Sequence, residues 1–131
     1  MKNVLCGSIS VSYDLWLPYS SGCLISHALK NCDVSRVQFL EPLYKWLPEE
    51  DMISKLRGID LLCLTCYVWN HEYNLSVARL YKQLNPQGVV IFGGPEIPLN
   101  NSLHQSFAYT RPDVDCFVVG PGEYTFAAII D

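Results

Sequence analysis

The stretch Val89-Val90-Ile91-Phe92-Gly93-Gly94-Pro95-Glu96 limits most sharply what this chain can fold into. Four apolar residues run without alternation into two glycines and a proline. That is the pattern of a parallel strand covered on both faces, ending where the backbone must turn or come close to another group. Two further junctions share the plan. Residues 60–65 are nearly all apolar and run into Cys66-Tyr67-Val68-Trp69-Asn70, and residues 114–119 run into Gly120-Pro121-Gly122-Glu123. Parallel strands need crossovers of a dozen or more residues, and the intervening segments are long enough to be helices. The three turns therefore belong on one edge of one sheet.

The remaining segments fit this frame. Residues 3–9 read as the first strand, and residues 10–19 as an irregular loop rich in aromatics (Tyr13, Trp16, Tyr19). Ser20-Ser21 offers a cap for a helix over 23–29. Residues 34–40 read as an edge strand, with Arg36 and Gln38 alternating against Val37 and Phe39, whereas residues 41–46 give no clear element. Pro48 followed by Glu49-Glu50-Asp51 starts a second helix, with Met52, Ile53 and Leu56 as its buried stripe and Gly58 as its end. Residues 71–84 are the clearest helix, with Leu75, Ala78, Tyr81 and Leu84 on the buried face, flanked by Leu80. A short helix capped by Asn100 or Asn101 runs to Phe107, and a last one spans 124–130. The expectation is an open α/β flavodoxin-like (Rossmann-like) sheet of five parallel strands, order 2-1-3-4-5, with helices on both faces. Residues 1–131 form one domain, with the look of a piece cut from a longer protein.

Composition narrows the function. Half the residues are apolar and 17% are charged, with net charge −4 and no basic run, which argues against a nucleic-acid surface. No apolar run approaches the roughly 20 residues of a membrane span, and the N-terminus lacks a long signal-peptide core, so a cytoplasmic location is expected. The six cysteines are expected as free thiols, because Cys6, Cys63 and Cys116 sit within apolar strand patterns. Cys63-Leu64-Thr65-Cys66 has CxxC spacing, but one pair without a second is weak evidence for a metal.

In sheets of this kind ligands bind beyond the carboxyl ends of the strands. After strand one, Gly7-Ser8-Ile9-Ser10 has neither the glycines nor the lysine of a phosphate loop, and no GxGxxG occurs. Asp14 is a lone acid, so a phosphoryl-accepting cluster is missing. His27 and His104 fall mid-helix and read as surface or satisfied groups, while His71 is the one placed to meet a ligand. No nucleophile–base arrangement can be argued, and no catalytic or metal-ligating residue is assigned. What remains is glycines, flat aromatics and amides, which suit a large, flat, partly apolar ligand.

Three elements together carry a family resemblance: Tyr67-Val68-Trp69-Asn70, then Val90-Ile91-Phe92-Gly93-Gly94-Pro95-Glu96, then Asp113-Val114-Asp115 leading to Gly120-Pro121-Gly122-Glu123-Tyr124-Thr125-Phe126. Lys82-Gln83-Leu84-Asn85-Pro86 and residues 18–29 add to it. The chain resembles the N-terminal cobalamin (B12)-binding domain of cobalamin-dependent radical S-adenosylmethionine (SAM) enzymes. The resemblance implies cobalamin bound near Thr65, Cys66, Tyr67, Val68, Trp69 and Asn70, with Tyr67 to Asn70 towards the lower face of the corrin. Gly93, Gly94, Pro95 and Glu96 would meet the ring edge and the nucleotide tail, and Gly120, Gly122 and Glu123 would lie along the other side.

Two departures qualify what the resemblance implies. The DxHxxG motif, whose histidine binds cobalt in methionine-synthase-type domains, is missing after strand one. The resemblance then implies cobalamin without its benzimidazole or a protein histidine on cobalt, its tail buried in the domain, and Trp69 keeping water from the metal. The CxxxCxxC of a radical-SAM iron–sulfur cluster is absent too. A [4Fe-4S] cluster, SAM and the catalysis, most plainly a methyl transfer, would belong to a C-terminal radical SAM domain beyond Asp131. Two alternatives stay open at this point: a B12-like scaffold that has lost cobalamin, and a flavin- or nucleotide-binding flavodoxin-like domain.

Overall fold

The computed structural model describes residues 3–12 and 17–131. Tyr13, Asp14 and Trp16 of the expected aromatic loop lie outside the described residues. The elements are β1 (Val4–Ile9), α1 (Tyr19–Asn31), β2 (Val37–Phe39), α2 (Glu49–Leu56), β3 (Leu61–Thr65), α3 (His71–Leu84), β4 (Val89–Gly93), a single 3-10 turn (Asn101–Leu103), α4 (His104–Tyr109), β5 (Cys116–Val118) and α5 (Glu123–Ile130). The five strands are all parallel in the order β2-β1-β3-β4-β5, the order expected from sequence. The three expected junctions follow β3, β4 and β5 and therefore share the carboxyl edge.

The two faces of the sheet are filled differently. Ile9, Leu62, Leu64, Val90 and Phe92 pack with Met52 and Leu56 of α2 and with Val77, Ala78 and Tyr81 of α3. Burying a side chain such as Leu62 or Phe92 fully contributes about 1.5–3 kcal/mol. Residues one step along each strand point to the other face. There Cys6, Leu61, Cys63, Ile91 and Val118 meet Ala28 of α1 and Phe126 of α5 as the buried apolar side chains from the helices. Small groups on that face leave a gap beneath α1 and α5.

At the amino edge, aspartates that precede two strands hold the neighbouring strand. Leu5 N–H donates to Asp60 Oδ2 (2.9 Å), and Val90 N–H donates to Asp115 Oδ2 (2.7 Å). Lys82 Nζ lies 2.6 Å from the same Asp115 oxygen.

Several boundaries differ from expectation, each for a local reason. Helix α1 begins at Tyr19 behind Pro18 with no side-chain cap; Ser21 sits inside it and is buried. Strand β2 shrinks to three residues, because Ser35 N–H turns back onto Asp33 Oδ1 (2.9 Å) and Val37 N–H onto Val34 O. Residues 41–46 run past β2 beside β1: Leu43 N–H donates to Ser8 O and Ser10 N–H to Leu43 O. Strand β5 is shorter than 114–119, with Asp115 serving as the acceptor described above. Helix α3 has the expected limits, but Asn74 and Val77 are buried where Leu75, Leu80 and Leu84 are only partly so. On α2, Ile53 is half-buried beside Met52 and Leu56. All six cysteines are free thiols. Among the described residues, no helix is long and apolar enough to cross a membrane.

Candidate functional site

The gap under α1 and α5 opens at the carboxyl edge as a slot of 540 Å³. That lies within the range of small-molecule and cofactor sites. Parallel register sets its floor: Ser8, Cys63 and Ile91 form one row across the sheet, with Thr65, Gly93 and Val118 in the next row outward. Leu24 and Phe126 wall it from the helices. A crevice of 10 Å³ lies deeper, past Ser8 and Cys63 towards Cys6 and Phe39.

Glycines open the mouth. A Cβ at Gly93 would stand 3.7 Å from Val118 Cβ, and one at Gly122 would stand 3.4 Å from Leu24 Cδ2, narrowing the slot from both sides. Gly94 has a different task. Its φ is +146°, and a Cβ there would lie 2.6 Å from Cys66 O. The close approach at Gly94 is thus to backbone of the β3–α3 loop, sealed by Cys66 N–H to Gly93 O (2.8 Å) and Glu96 N–H to Cys66 O (3.0 Å). Gly120 takes φ +75° with open space around it.

The β3–α3 loop is held from behind by two buried asparagines. Asn70 Oδ1 accepts from Tyr67 N–H (3.0 Å), and its Nδ2 donates to Thr65 Oγ1 (2.8 Å) and Val11 O (3.2 Å). Asn74 Nδ2 donates to Thr65 O (2.7 Å). Burying such amides is unfavourable unless they are bonded, so these contacts stabilise one loop conformation over others. In that conformation Tyr67 and Trp69 stack, with centroids 4.5 Å apart and planes 6° apart. Tyr67 lines the slot, and Trp69 stays 40% exposed at its rim.

Glu123 is the one charged residue among the described residues that line the slot. A compact polyanion would meet no lysine or arginine there. Burial pushes the Cys66 thiol up to about 11, so it is a neutral, packed group. The Cys63 thiol is likewise raised, by its hydrogen bond with Cys6 and by burial, and adds an apolar surface to the floor.

Of the residues expected at the site, Thr65, Tyr67, Gly93, Gly94, Pro95, Gly120, Gly122 and Glu123 line the slot. Cys66 and Asn70 are buried behind the loop, while Val68 and Trp69 are exposed beside it; Glu96 is outside the lining. His71 turns to local partners, with Nδ1 3.3 Å from Tyr67 O and Nε2 3.0 Å from Glu72. Sequence reasoning missed Ser8, Ser21, Leu24, Ile91, Val118 and Phe126. The available signal was the period-two pattern that puts small or polar Cys6, Ser8 and Cys63 on one face of the central strands.

The comparisons with known proteins agree with this geometry. The family described as B12 binding domain matches residues 22–130. The cobalamin-dependent radical SAM methyltransferase TokK of Streptomyces tokunonensis is 31% identical over 116 residues, which make up 88% of this chain. The 2-(S-pantetheinyl)-carbapenam-3-carboxylate methyltransferase of Streptantibioticus cattleyicolor is 33% identical over 116 residues, again 88% of this chain. The chain spans 17% of the length of each. Among solved structures, the pilus assembly protein CpaE from Caulobacter crescentus CB15 superposes with a TM-score of 0.57 at 14% identity, over 98% of this chain and 95% of that one. At that identity the likeness concerns the fold alone.

Proposed function

This chain belongs to the B12-binding domain family, and we propose that it holds cobalamin with the nucleotide tail in the slot and the corrin across the carboxyl edge. The observation that carries this reading is the 540 Å³ slot itself, apolar, nearly uncharged and open where the three junctions meet. The donor set fits the group. Glycines 93 and 122 keep the mouth wide: a Cβ on Gly93 would meet Val118 beside it on the floor, and one on Gly122 would meet Leu24. The Tyr67–Trp69 stack offers a flat apolar platform at the rim.

When bound, cobalamin supplies a cobalt able to carry and give up a methyl group. The residues of this chain bind and orient. Among the described residues that line the slot, Leu24, Ile91 and Phe126 would hold the nucleotide tail, with Tyr67 towards the corrin. Trp69, fixed through Tyr67 and Asn70, would exclude water from the lower face. The wider protein is proposed to be a radical SAM enzyme, most directly a methyltransferase, with SAM and a [4Fe-4S] cluster in another domain. Both curated relatives carry methyltransferase names and are several times longer.

The test is direct. The purified chain is mixed with hydroxocobalamin, desalted and scanned. Retained corrin bands lacking the benzimidazole-ligated shape are expected. A colourless protein would reject cobalamin binding and leave the scaffold reading, and flavin bands from the purified protein would favour a flavodoxin-like site. In the same assay Trp69→Ala is expected to shift the corrin bands and weaken retention about three- to tenfold, the scale of one aromatic stacking contact. An unchanged spectrum and unchanged retention would remove Trp69 from the lower face.

A further inference from the structure

We propose that Ser8 is a specificity-determining residue of the slot, donating a hydrogen bond to an unpaired ring nitrogen on the ligand's nucleotide base and so selecting corrinoids that carry such a base. The inference rests on the cobalamin reading above and deepens it.

Ser8 lies on β1, in the inner row of the floor beside Cys63. It borders both the slot and the crevice beyond it, which places it where the slot narrows. Its carbonyl is engaged, with Ser8 O accepting from Leu43 N–H (2.9 Å). Its side chain is not: Ser8 Oγ is buried and has no hydrogen-bond partner among the described residues. An unbonded buried hydroxyl is unfavourable, because it has given up water without a replacement. The neighbouring hydroxyl on the floor is already occupied, since Thr65 Oγ1 accepts from Asn70 Nδ2 and sits 3.4 Å from Ile9 O. Leu24, Cys63, Ile91 and Phe126 around it offer a base a stacking area, and although Ser21 also borders slot and crevice, Ser8 Oγ is the slot-lining side-chain oxygen that is buried without a partner among the described residues.

The ligand has the complementary need. A benzimidazole or similar base that leaves cobalt exposes an sp2 nitrogen that can only accept. Carried to the inner floor of the slot and left unbonded, that nitrogen would be a second unpaired polar group beside Ser8 Oγ. One hydrogen bond from Ser8 Oγ satisfies both. Ser8 would thus read the nucleotide base and leave the corrin ring unread, and a corrinoid without the nucleotide would gain nothing from it.

The experiment compares hydroxocobalamin with hydroxocobinamide, which has the corrin and no nucleotide, on the 131-residue chain and its Ser8→Ala variant. Ser8→Ala is expected to weaken hydroxocobalamin about tenfold and leave hydroxocobinamide within twofold. Ser8→Cys, with a weaker donor, is expected to fall between serine and alanine. An equal loss for both corrinoids, or no loss for either, overturns the role of Ser8 while cobalamin binding stands. If the unaltered chain retains neither corrinoid, the cobalamin reading falls and this proposal falls with it. Thermal melts of the variants, expected within a few degrees of the parent, separate loss of the ligand contact from loss of the fold.

Discussion

Gly94→Ala is expected to lower stability by about 3–5 kcal/mol and to abolish cobalamin retention. Two separable effects act at this one position. An alanine at φ +146° is held in a conformation that L residues rarely adopt, at a cost of order 1–3 kcal/mol. The added methyl would also lie 2.6 Å from Cys66 O, 2.8 Å from Cys66 N and 2.9 Å from Cys66 C. These are backbone atoms, so no side chain can swing away. The β3–α3 and β4–α4 loops must part, and the hydrogen bonds between Cys66 and both Gly93 and Glu96 go with them; overpacking of this kind typically costs about 1–3 kcal/mol more. Because Cys66 adjoins Tyr67, the stacked platform is carried away from the slot. Gly120→Ala serves as the comparison, since φ +75° imposes backbone strain while a Cβ there meets nothing within 4 Å. It is expected to cost about 1 kcal/mol and to keep the ligand. Denaturant unfolding of both variants checks this, and equal losses would show that strain alone, without close approach, governs Gly94.

The same position shows what the sequence could and could not disclose. Two glycines after an apolar strand announce a backbone that something approaches, and they do not say what. At Gly94 the partner is Cys66 of this chain, whereas at Gly93 the open side is the slot. The strand order was readable because Leu61 to Leu64 and Val90 to Phe92 are unbroken apolar runs, which only central parallel strands tolerate. Helix α3 was readable at both ends because Asn70 and Asn85-Pro86 stop the pattern. Its buried face is incomplete without Asn74, since nothing along the chain marks a polar residue as buried until Thr65 O appears as its partner. The start of α1 was misplaced because the cap rule selected Ser20-Ser21, while Pro18 and burial of Ser21 govern the real helix.

The slot was the least legible feature, and the reason is physical. It is a gap between a sheet face and two helices, created by residues that are too small to fill it. Single positions such as Cys6, Ser8 and Cys63 look unremarkable along the chain and acquire meaning only when register sets them in adjacent rows. The walls, Leu24 and Phe126, stand about a hundred residues apart in sequence and meet through packing of α1 against α5. A resemblance supplied the ligand class; the fold supplied which residues could face it.

At the opposite edge of the sheet, Gly88→Ala is expected to destabilise by about 3 kcal/mol or more while leaving the spectrum of any bound corrinoid unchanged. A Cβ at Gly88 would fall on Tyr81 Oη and lie 2.7 Å from Asn85 Nδ2. Tyr81 has no free volume: it is wholly buried, its Oη donates to Ile59 O (2.8 Å), and burial pushes its hydroxyl up to about 12. The turn cannot retreat cheaply either, because Lys82 Nζ donates to Gly88 O (2.7 Å) and Gly88 N–H to Asn85 O (3.0 Å). Tyr81→Phe alone should cost only about 1 kcal/mol, since Asn85 Nδ2 still donates to Ile59 O (2.9 Å). Combined with Gly88→Ala it also removes the colliding oxygen. The double variant is therefore expected to lose less than the sum of the two singles, by at least about 1 kcal/mol. Additive losses in denaturant unfolding would mean that the turn moves and Tyr81 does not. A changed corrin spectrum in Gly88→Ala would couple the two edges of the sheet, through β3 and β4 or the core cluster that holds both Tyr81 and the slot-lining Leu64.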